Sequence, residues 1–296
     1  MVGIFDLAKS LTGLSQFKDI PKENIEYSKN LIEESKKNLD NSKDSYNKGN
    51  YNVAIYFLEQ SLYSSIKSLS ILFSLLKLKD VKDKNYNSFE EFLNKNKMFD
   101  KMKKLIEQNA KFYELLLNDE NKKKFKEDWD NYKEELKKFL DKIKDKNERK
   151  NIVRYSEEDL NKLFEINEKI NQYQLSDEVL ESYINLAMNL FSKLGGQYKS
   201  MINTGMFKSL VKREIEKNKD NLNVFGNVFI LSGILMLHER SSKEYDNNLD
   251  FSPSNYTKDL GIVKMYNKIY NIIDNLIKFE ENFIQVLENK DKINLS

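Results

Sequence analysis

The chain contains very few residues that interrupt helices: two prolines and nine glycines among its 296 residues. Lysine, glutamate, leucine and isoleucine, which accept a helical backbone readily, are abundant. No segment shows the sustained alternation of apolar and polar residues that a half-buried strand requires, and no hairpin signal is present. No fixed-period repeat runs along the chain. The sequence therefore predicts an all-α protein of long helices, large enough for one or two domains.

The charge balance is close to neutral, with 49 basic and 47 acidic residues and a net charge of +2. This balance does not indicate a dedicated nucleic-acid-binding protein. Basic runs at 101–104, 122–126 and 144–150 are each flanked by acids, so we interpret them as solvated helix faces and keep nucleic-acid binding as a weak alternative. Arginine, the better bidentate ligand for phosphate, is scarce. The four arginines are Arg149, Arg154, Arg213 and Arg240.

Several kinds of chemistry lack the residues that they need. The chain has no cysteine, which excludes disulfides, thiolate nucleophiles and cysteine-ligated metals and is compatible with a reducing cytoplasm, the location that we expect. His238 is the only histidine, so a two-histidine zinc site cannot form. The glycines Gly195–Gly196 match neither the GxxxxGK nor the GxGxxG spacing of a nucleotide-binding loop. We interpret them as a helix C-cap. We expect no metal and no cofactor.

The first 19 residues are interpreted as a short amphipathic helix. Apolar residues recur at helical spacing within Gly3–Asp19. This segment could anchor the protein peripherally to a membrane surface, or it could dock onto the bundle or a partner; its few lysines favour docking. The N-terminus lacks the basic and continuously apolar regions of a secretory signal. The residues that form the apolar stripe are Ile4, Leu7, Ala8, Leu11 and Leu14.

Two helices are predicted next, separated by a turn at 47–50. Pro21 suits the start of the first helix, which has a sparse apolar stripe, and Gly49 is the expected left-handed residue at its end. The second helix is predicted from Tyr51 to Leu78. Its apolar residues cover more than half of its circumference, so we expect neighbours on several sides.

The segment that follows is predicted to be helical and highly charged to about Lys150. Ser88 and Glu91 form the pattern of a capping box at its start. The segment 144–160 is the best linker candidate, with a new helix start at Ser156. One apolar stripe runs through the charged helix and comprises Trp129, Tyr132, Leu136, Phe139 and Leu140.

The C-terminal half contains the most hydrophobic stretch, Asn221–Glu239. Its apolar part, Leu222–Leu237, is shorter than the roughly 20 residues that span a bilayer and includes asparagine, serine and glycine, so we predict a buried helix and no transmembrane span. Gly226 and Gly233 would let a neighbouring helix approach closely. Ser176 is the expected N-cap of a preceding helix. One long helix should close the fold, with a stripe of Ile262, Ile269, Ile272, Ile273, Leu276, Phe279, Phe283 and Val286.

The domain organisation is predicted as an amphipathic segment at 1–20, a helical unit at 21–150 and a second helical unit at 151–296. In the alternative arrangement the last helices close a single bundle, and 80–220 is an insertion.

Two segments resemble parts of the HEPN family. In those domains, one helix ends in a Gly–Asp/Asn–Tyr turn. The next helix carries an Ala, a Gln and a Lys at fixed spacing. Tyr46–Phe73 has this pattern, and Leu237–Ile273 is similar to the closing segment of some archaeal members. The matching residues of the first segment are Gly49, Asn50, Tyr51, Ala54, Gln60, Lys67 and Ser68.

The resemblance implies an all-α up-and-down bundle, commonly dimeric, in ribonucleases of toxin–antitoxin systems or in non-catalytic proteins that bind nucleotides, RNA or proteins. The ribonucleases of the family use Arg-x(4–6)-His. This chain departs from that motif, because Arg213 lies 25 residues before His238 and Arg240 follows it. The resemblance therefore favours a non-catalytic relative that self-associates or binds a helical partner.

Three functions remain in view. The first is a non-catalytic interaction or ligand-binding protein, in which Gln60 and Lys67, two turns apart on one helix face, are the candidate binding residues. The second is a divergent ribonuclease that uses His238, with Glu239, Arg240 or Tyr245 nearby. The third is a peripheral membrane protein anchored by residues 3–19.

Overall fold

A computed structural model of the chain describes residues 20–182, 184–185 and 205–293; for 205–220, 286 and 289–293 it describes the backbone alone. A further helical run begins at residue 177. The expected all-α class is confirmed: within these ranges the only extended pairing is one isolated antiparallel bridge, between Asp246 and Phe251. The named helices are α1 (Lys22–Asn47), α2 (Tyr51–Leu72), α3 (Leu78–Lys82), α4 (Phe89–Lys95), α5 (Met98–Leu115), α6 (Asp119–Lys144), α7 (Lys146–Ile152), α8 (Glu157–Asn171), α9 (Gly205–His238), α10 (Gly261–Lys264) and α11 (Tyr266–Ile293), with a 3₁₀ turn at Pro253–Asn255.

Helices α1 and α2 form an antiparallel hairpin. Gly49 has φ +76°, which confirms the predicted left-handed cap. The prediction that α2 continues to Leu78 is wrong, because it ends at Leu72. Ser74 takes φ 53°, and the N–H groups of Leu75 and Leu76 both donate to the Ser70 carbonyl. Helix α2 is thus ended by a serine in the left-handed conformation, a position where glycine is the usual residue.

Small polar residues line the contact between α1 and α2, and we call them the serine seam: Ser28, Ser35 and Ser42 on α1 with Ser61, Ser65 and Ser68 on α2. On α1 they are seven residues apart, which keeps them on one face of the helix. All six are buried. Ser35 Oγ lies 2.8 Å from the Ser61 carbonyl oxygen, and Ser61 Oγ lies 2.8 Å from that of Ser35. Small side chains let the two helices approach until a hydroxyl of one reaches a backbone carbonyl of the other.

Helix α9 lies at the centre of the bundle and contacts α2, α5, α8 and α11. The predicted close approaches at its glycines are confirmed. A Cβ on Gly226 would lie 2.1 Å from Asn167 Oδ1, and one on Gly233 would lie 2.3 Å from Ile143 Cδ1. Asn221–His238 is the one stretch of the described residues that is long and apolar enough to cross a membrane, but 78% of it is buried inside the protein. A core helix of a soluble protein has the same properties.

Helix α11 packs on α1 and α2. Lys29 Nζ lies 2.6 Å from Glu288 Oε1 and Lys36 Nζ lies 2.6 Å from Glu281 Oε1, so α1 and α11 run antiparallel. The predicted stripe of α11 faces the core where side chains are described, with Ile269, Ile273 and Leu276 buried. The stripe of α6 also faces inward: Tyr132, Leu136 and Phe139 are buried, whereas Trp129 and Leu140 are partly buried.

The proposed linker is mostly helical, since α7 fills 146–152. Ser156 then caps α8 in a full capping box with Asp159, as the start signal indicated. Residues from both sides of Lys150 contribute to one hydrophobic cluster. Four further residues, Phe112, Leu116, Leu180 and Ile184, form a smaller cluster. The predicted helix at 3–19 and the predicted cap at Gly195–Gly196 lie outside the described residues.

Candidate functional site

A cleft of about 360 Å³ opens between the start of α4 and the end of α9, and we call it the α4–α9 cleft. One wall is formed by Asn87, Ser88 and Glu90 together with Arg149 of α7. The other wall is formed by residues between Met236 and Leu249. The cleft therefore joins three segments that are far apart in the sequence. Its volume is within the range of small-molecule sites, roughly 300–1,000 Å³.

The start of α4 is fixed by its N-cap. Ser88 Oγ accepts the Glu91 N–H at 3.0 Å, as the predicted capping box requires. The Glu91 carboxylate accepts the N–H of Asn87 at 2.6 Å, one residue earlier than that pattern specifies. The N–H of Phe89, the first residue of the helix, donates to Glu239 Oε2 at 2.8 Å. Glu239 thus ties the end of α9 to the start of α4.

Two arginines of the cleft are already paired with carboxylates. Arg149 Nη2 lies 2.6 Å from Glu90 Oε1, and its Nε also donates to the carbonyl of Ile143. Arg240 Nε lies 2.8 Å from Glu244 Oε1 in an i,i+4 pair. These pairs fix both guanidinium groups, so neither presents an unpaired charge to the cleft.

Glu239 is 7% exposed, although its carboxyl lines the cleft. Its nearest cation is Lys243, whose Nζ lies 3.8 Å from Glu239 Oε1 and 5.0 Å from the centre of the Tyr56 ring. Burial raises the pKa of the Glu239 carboxyl, and the N–H of Phe89 lowers it by a smaller amount. The Lys243 ammonium and the N–H of Phe89 therefore balance the negative charge of an ionised Glu239 only in part.

Glu59 of α2 is a second buried carboxyl beside Glu239. Its side chain has no exposed surface. Gln60 Nε2 donates to Glu59 Oε2 at 2.6 Å, but Glu59 Oε1 has no hydrogen-bond partner among the described residues. Burial, followed by the charge of Glu239, raises the pKa of Glu59 well above its ordinary value. The two carboxyls disfavour each other's ionisation, which is the behaviour of like charges in close proximity.

Of the candidate binding residues, Gln60 donates to Glu59, and the charge of Lys67 only slightly lowers the pKa of Glu59. Lys67 Nζ is 3.8 Å from the centre of the Tyr63 ring, and burial lowers the pKa of this lysine. Neither residue lines the α4–α9 cleft. Their role in binding stays a prediction, and in the structure Gln60 bonds to a buried carboxyl and Lys67 lies over an aromatic ring.

His238 does not face the cleft or solvent, since it is 1% exposed. Its Nδ1 lies 2.8 Å from the Tyr256 hydroxyl, which is 2.9 Å from Ser241 Oγ. Burial lowers the pKa of the His238 imidazole to about 3, so the ring is neutral at physiological pH. A neutral, enclosed ring in this conformation cannot contact a phosphodiester in solution.

Of the residues proposed to act beside His238, Glu239 is buried, whereas Arg240 and Tyr245 lie on the surface. Arg240 is paired with Glu244, and Tyr245 is 51% exposed and donates to Asp250 Oδ1 at 2.5 Å. The structure therefore does not bring His238, Arg240 and Tyr245 to one accessible point. The described residues contain no group of three or more acidic or histidine side chains placed to hold a metal ion.

Sequence reasoning missed most of the cleft. It did not connect Glu90 with Arg149 or Glu59 with Glu239, because each pair joins distant segments. One local signal was available: an acidic residue on the apolar stripe of a helix is a candidate for burial. Glu280 of α11 shows the same signal, flanked by Phe279 and Phe283, and it has no exposed surface.

Glu280 is more isolated than Glu59. Neither of its carboxyl oxygens has a hydrogen-bond partner among the described residues. Ser68 is close enough to lower the pKa of the Glu280 carboxyl slightly, yet its Oγ is not placed to form a hydrogen bond. Burial dominates and raises the pKa of Glu280 well above its ordinary value. Glu280 lies away from the cleft, so we assign it no role in binding.

Comparison of the chain with protein-family models, with curated proteins and with solved structures finds no match. The HEPN resemblance consequently stays a prediction that rests on the two sequence segments. The α4–α9 cleft has to be interpreted from its own residues.

Proposed function

We propose that the protein is a non-catalytic binding protein and that the α4–α9 cleft holds a small polar ligand. The observation that supports this proposal is the cleft itself, in which three distant segments place hydrogen-bonding and charged side chains around about 360 Å³. Backbone caps and ion pairs hold these side chains in place. Such preorganisation reduces the entropy that a ligand must overcome on binding.

The non-catalytic part of the proposal is supported by the environment of the candidate catalytic groups. General acid–base chemistry requires a group whose pKa is near the working pH and which can reach the substrate. His238 satisfies neither condition in this fold. A link to nucleotide or RNA biology, self-association and a cytoplasmic location remain proposals that rest on the resemblance and on the composition.

Binding is tested by ligand-observed NMR with the full chain and a panel of polar probes: spermidine, agmatine, AMP, citrate and glucose. We expect at least one probe to bind. Asn248, exposed in the cleft wall, is replaced by tryptophan to fill the cleft, and Asn248→Trp should abolish binding. Its exposed neighbour Asn247 lies outside the lining, so Asn247→Trp is the matched control and should bind like the unmodified protein.

The proposal is wrong if no probe binds, or if both tryptophan variants bind equally well. Catalysis is tested separately by incubating the protein with structured RNA, beside His238→Asn. We expect no cleavage by either protein. Cleavage by the unmodified protein that is lost in His238→Asn would instead support the ribonuclease alternative.

A further inference from the structure

The charges that line the α4–α9 cleft are not fully balanced. Four acidic residues and three basic residues face it. Two of the bases, Arg149 and Arg240, are each bonded to an acid of their own, Glu90 and Glu244. The lining charges that remain are two acids, Glu239 and Asp246, and one base, Lys243.

Both remaining acids are strongly shielded from water, with exposures of 7% for Glu239 and 6% for Asp246. Asp246 Oδ1 accepts the N–H of Asn248 at 2.8 Å, and no basic side chain of the described residues forms an ion pair with this carboxylate. Shielded carboxylates gain more from a cation than exposed ones do, because the local dielectric is lower.

Lys243 shows where a cation is accommodated. Its ammonium lies between Glu239 Oε1, at 3.8 Å, and the face of the Tyr56 ring, at 5.0 Å. A carboxylate and an aromatic face together attract ammonium and guanidinium groups. The Lys243 side chain is 46% exposed, so it can leave this position at little cost.

On the basis of the proposed function, we propose that the α4–α9 cleft selects a ligand with a primary ammonium or guanidinium group, which binds to Glu239 in the place that Lys243 now occupies. Lys243 then acts as a built-in competitor. This assignment predicts the direction in which the affinity for a cationic ligand changes. Removing an acid should weaken binding, and removing Lys243 should strengthen it.

Isothermal titration calorimetry with the full chain tests this assignment, with spermidine and agmatine as cationic probes and AMP and citrate as anionic probes. We expect the cationic probes alone to bind. Glu239→Gln should weaken their binding about tenfold, which corresponds to about 1.4 kcal/mol. The glutamine oxygen can still accept the N–H of Phe89, so the start of α4 is preserved, and circular dichroism checks the fold.

Lys243→Met should bind the cationic probes several-fold more tightly, since it keeps the aliphatic stem and removes the competing charge. Lys138 is an exposed lysine on α6 that pairs with Glu135 outside the cleft, so Lys138→Met is the matched control and should leave binding unchanged. A control with the same effect as Lys243→Met would show that only net charge matters, and it would overturn the assignment.

The two proposals fail in different ways. If AMP or citrate binds, the cationic probes do not, and Asn248→Trp removes the binding, the cleft is a ligand site but the cation assignment is wrong. The assignment is also wrong if Glu239→Gln tightens the binding of a cationic probe, or if Lys243→Met weakens it. If no probe binds, both proposals are wrong.

Discussion

Helix α2 buries polar groups in two different ways. Towards α1 it places hydroxyls of the serine seam, where Ser35 and Ser61 each donate to the other's backbone carbonyl, although the Oγ atoms of Ser28 and Ser68 have no hydrogen-bond partner among the described residues. Elsewhere it buries Glu59, one oxygen of which has no partner among the described residues, and faces Glu280 on α11, which has none on either oxygen. Both regions lie in the same core, yet we expect a bonded hydroxyl to stabilise the fold and an unpartnered carboxylate to destabilise it.

The difference follows from the size and charge of the groups. A hydroxyl is neutral, and its single donor can be satisfied by a carbonyl of the neighbouring helix once the helices are close. A carboxyl brings two oxygens and a charge at neutral pH, and burial of that charge is expensive unless a cation is near. Stability at the serine seam is therefore expected to depend on the volume of the side chains. Stability at the buried carboxyls is expected to depend on whether they are protonated.

The largest expected effect comes from enlarging a seam residue. Ser61→Leu inserts a large side chain between α1 and α2 where the two helices lie close together, and we expect a loss of about 3 kcal/mol in the free energy of unfolding, at the upper end for overpacking. Ser61→Ala keeps the small volume and should lose about 1 kcal/mol, the value of a typical hydrogen bond. Urea denaturation of both variants measures the two values.

If Ser61→Leu costs no more than Ser61→Ala, the two helices can separate without penalty. Stability at the serine seam would then not depend on side-chain volume. The proposed difference between the seam and the buried carboxyls would be wrong.

The next largest effect concerns His238, a buried titratable group that does have a partner. Its folded-state pKa of about 3 lies below the ordinary value of 6.5, so its contribution to stability is present above pH 6.5 and is lost as the pH falls. Between pH 7 and pH 5 this loss should reach about 2 kcal/mol. His238→Asn removes the titration, so the stability difference between the two proteins should change by this amount.

Unfolding in urea at pH 7 and at pH 5 provides this measurement. A difference between the unmodified protein and His238→Asn that stays constant over this range would mean that the ring is hydrated in the native state, contrary to its 1% exposure.

The smallest expected effect concerns Glu280, whose pH dependence runs in the opposite direction. Burial raises the pKa of its carboxyl above the ordinary value of 4.5, so Glu280 carries no ionisation penalty below pH 4.5, and stability is lost as the pH rises from there towards the folded-state pKa. Glu280→Gln should therefore be more stable than the unmodified protein at pH 7.5, by about 1 kcal/mol. The gain should vanish at pH 4.5.

Glu280→Met, which also removes the unpartnered oxygens, should keep part of its advantage at pH 4.5 as well. Glu281→Gln is the matched control, because Glu281 pairs with Lys36 on the surface and should change the free energy of unfolding by only a few tenths of a kcal/mol. A loss of stability in Glu280→Gln at pH 7.5 would show that the carboxylate has a partner, and the two regions of α2 would then be alike.

The sequence by itself determined the secondary-structure class and several of the helix ends and close helix contacts. The left-handed residue at Gly49, the cap at Ser156 and the close approaches at Gly226 and Gly233 depend on local backbone geometry or on the absence of a side chain. Such features are local, so a single sequence is sufficient to predict them. The burial of Asn221–His238 also followed from its composition, since asparagine, serine and glycine interrupt its apolar residues.

Only the tertiary structure decided which polar residues meet. The partners of Ser35 and Ser61 and the neighbours of Glu59 depend on how different helices pack against each other. The α4–α9 cleft arises in the same way, since Glu239 reaches Phe89 across 150 residues of sequence. Helical periodicity specifies which face of a helix is apolar, but it does not specify which helix covers that face. Pairings between distant helices are therefore fixed by packing of the whole core.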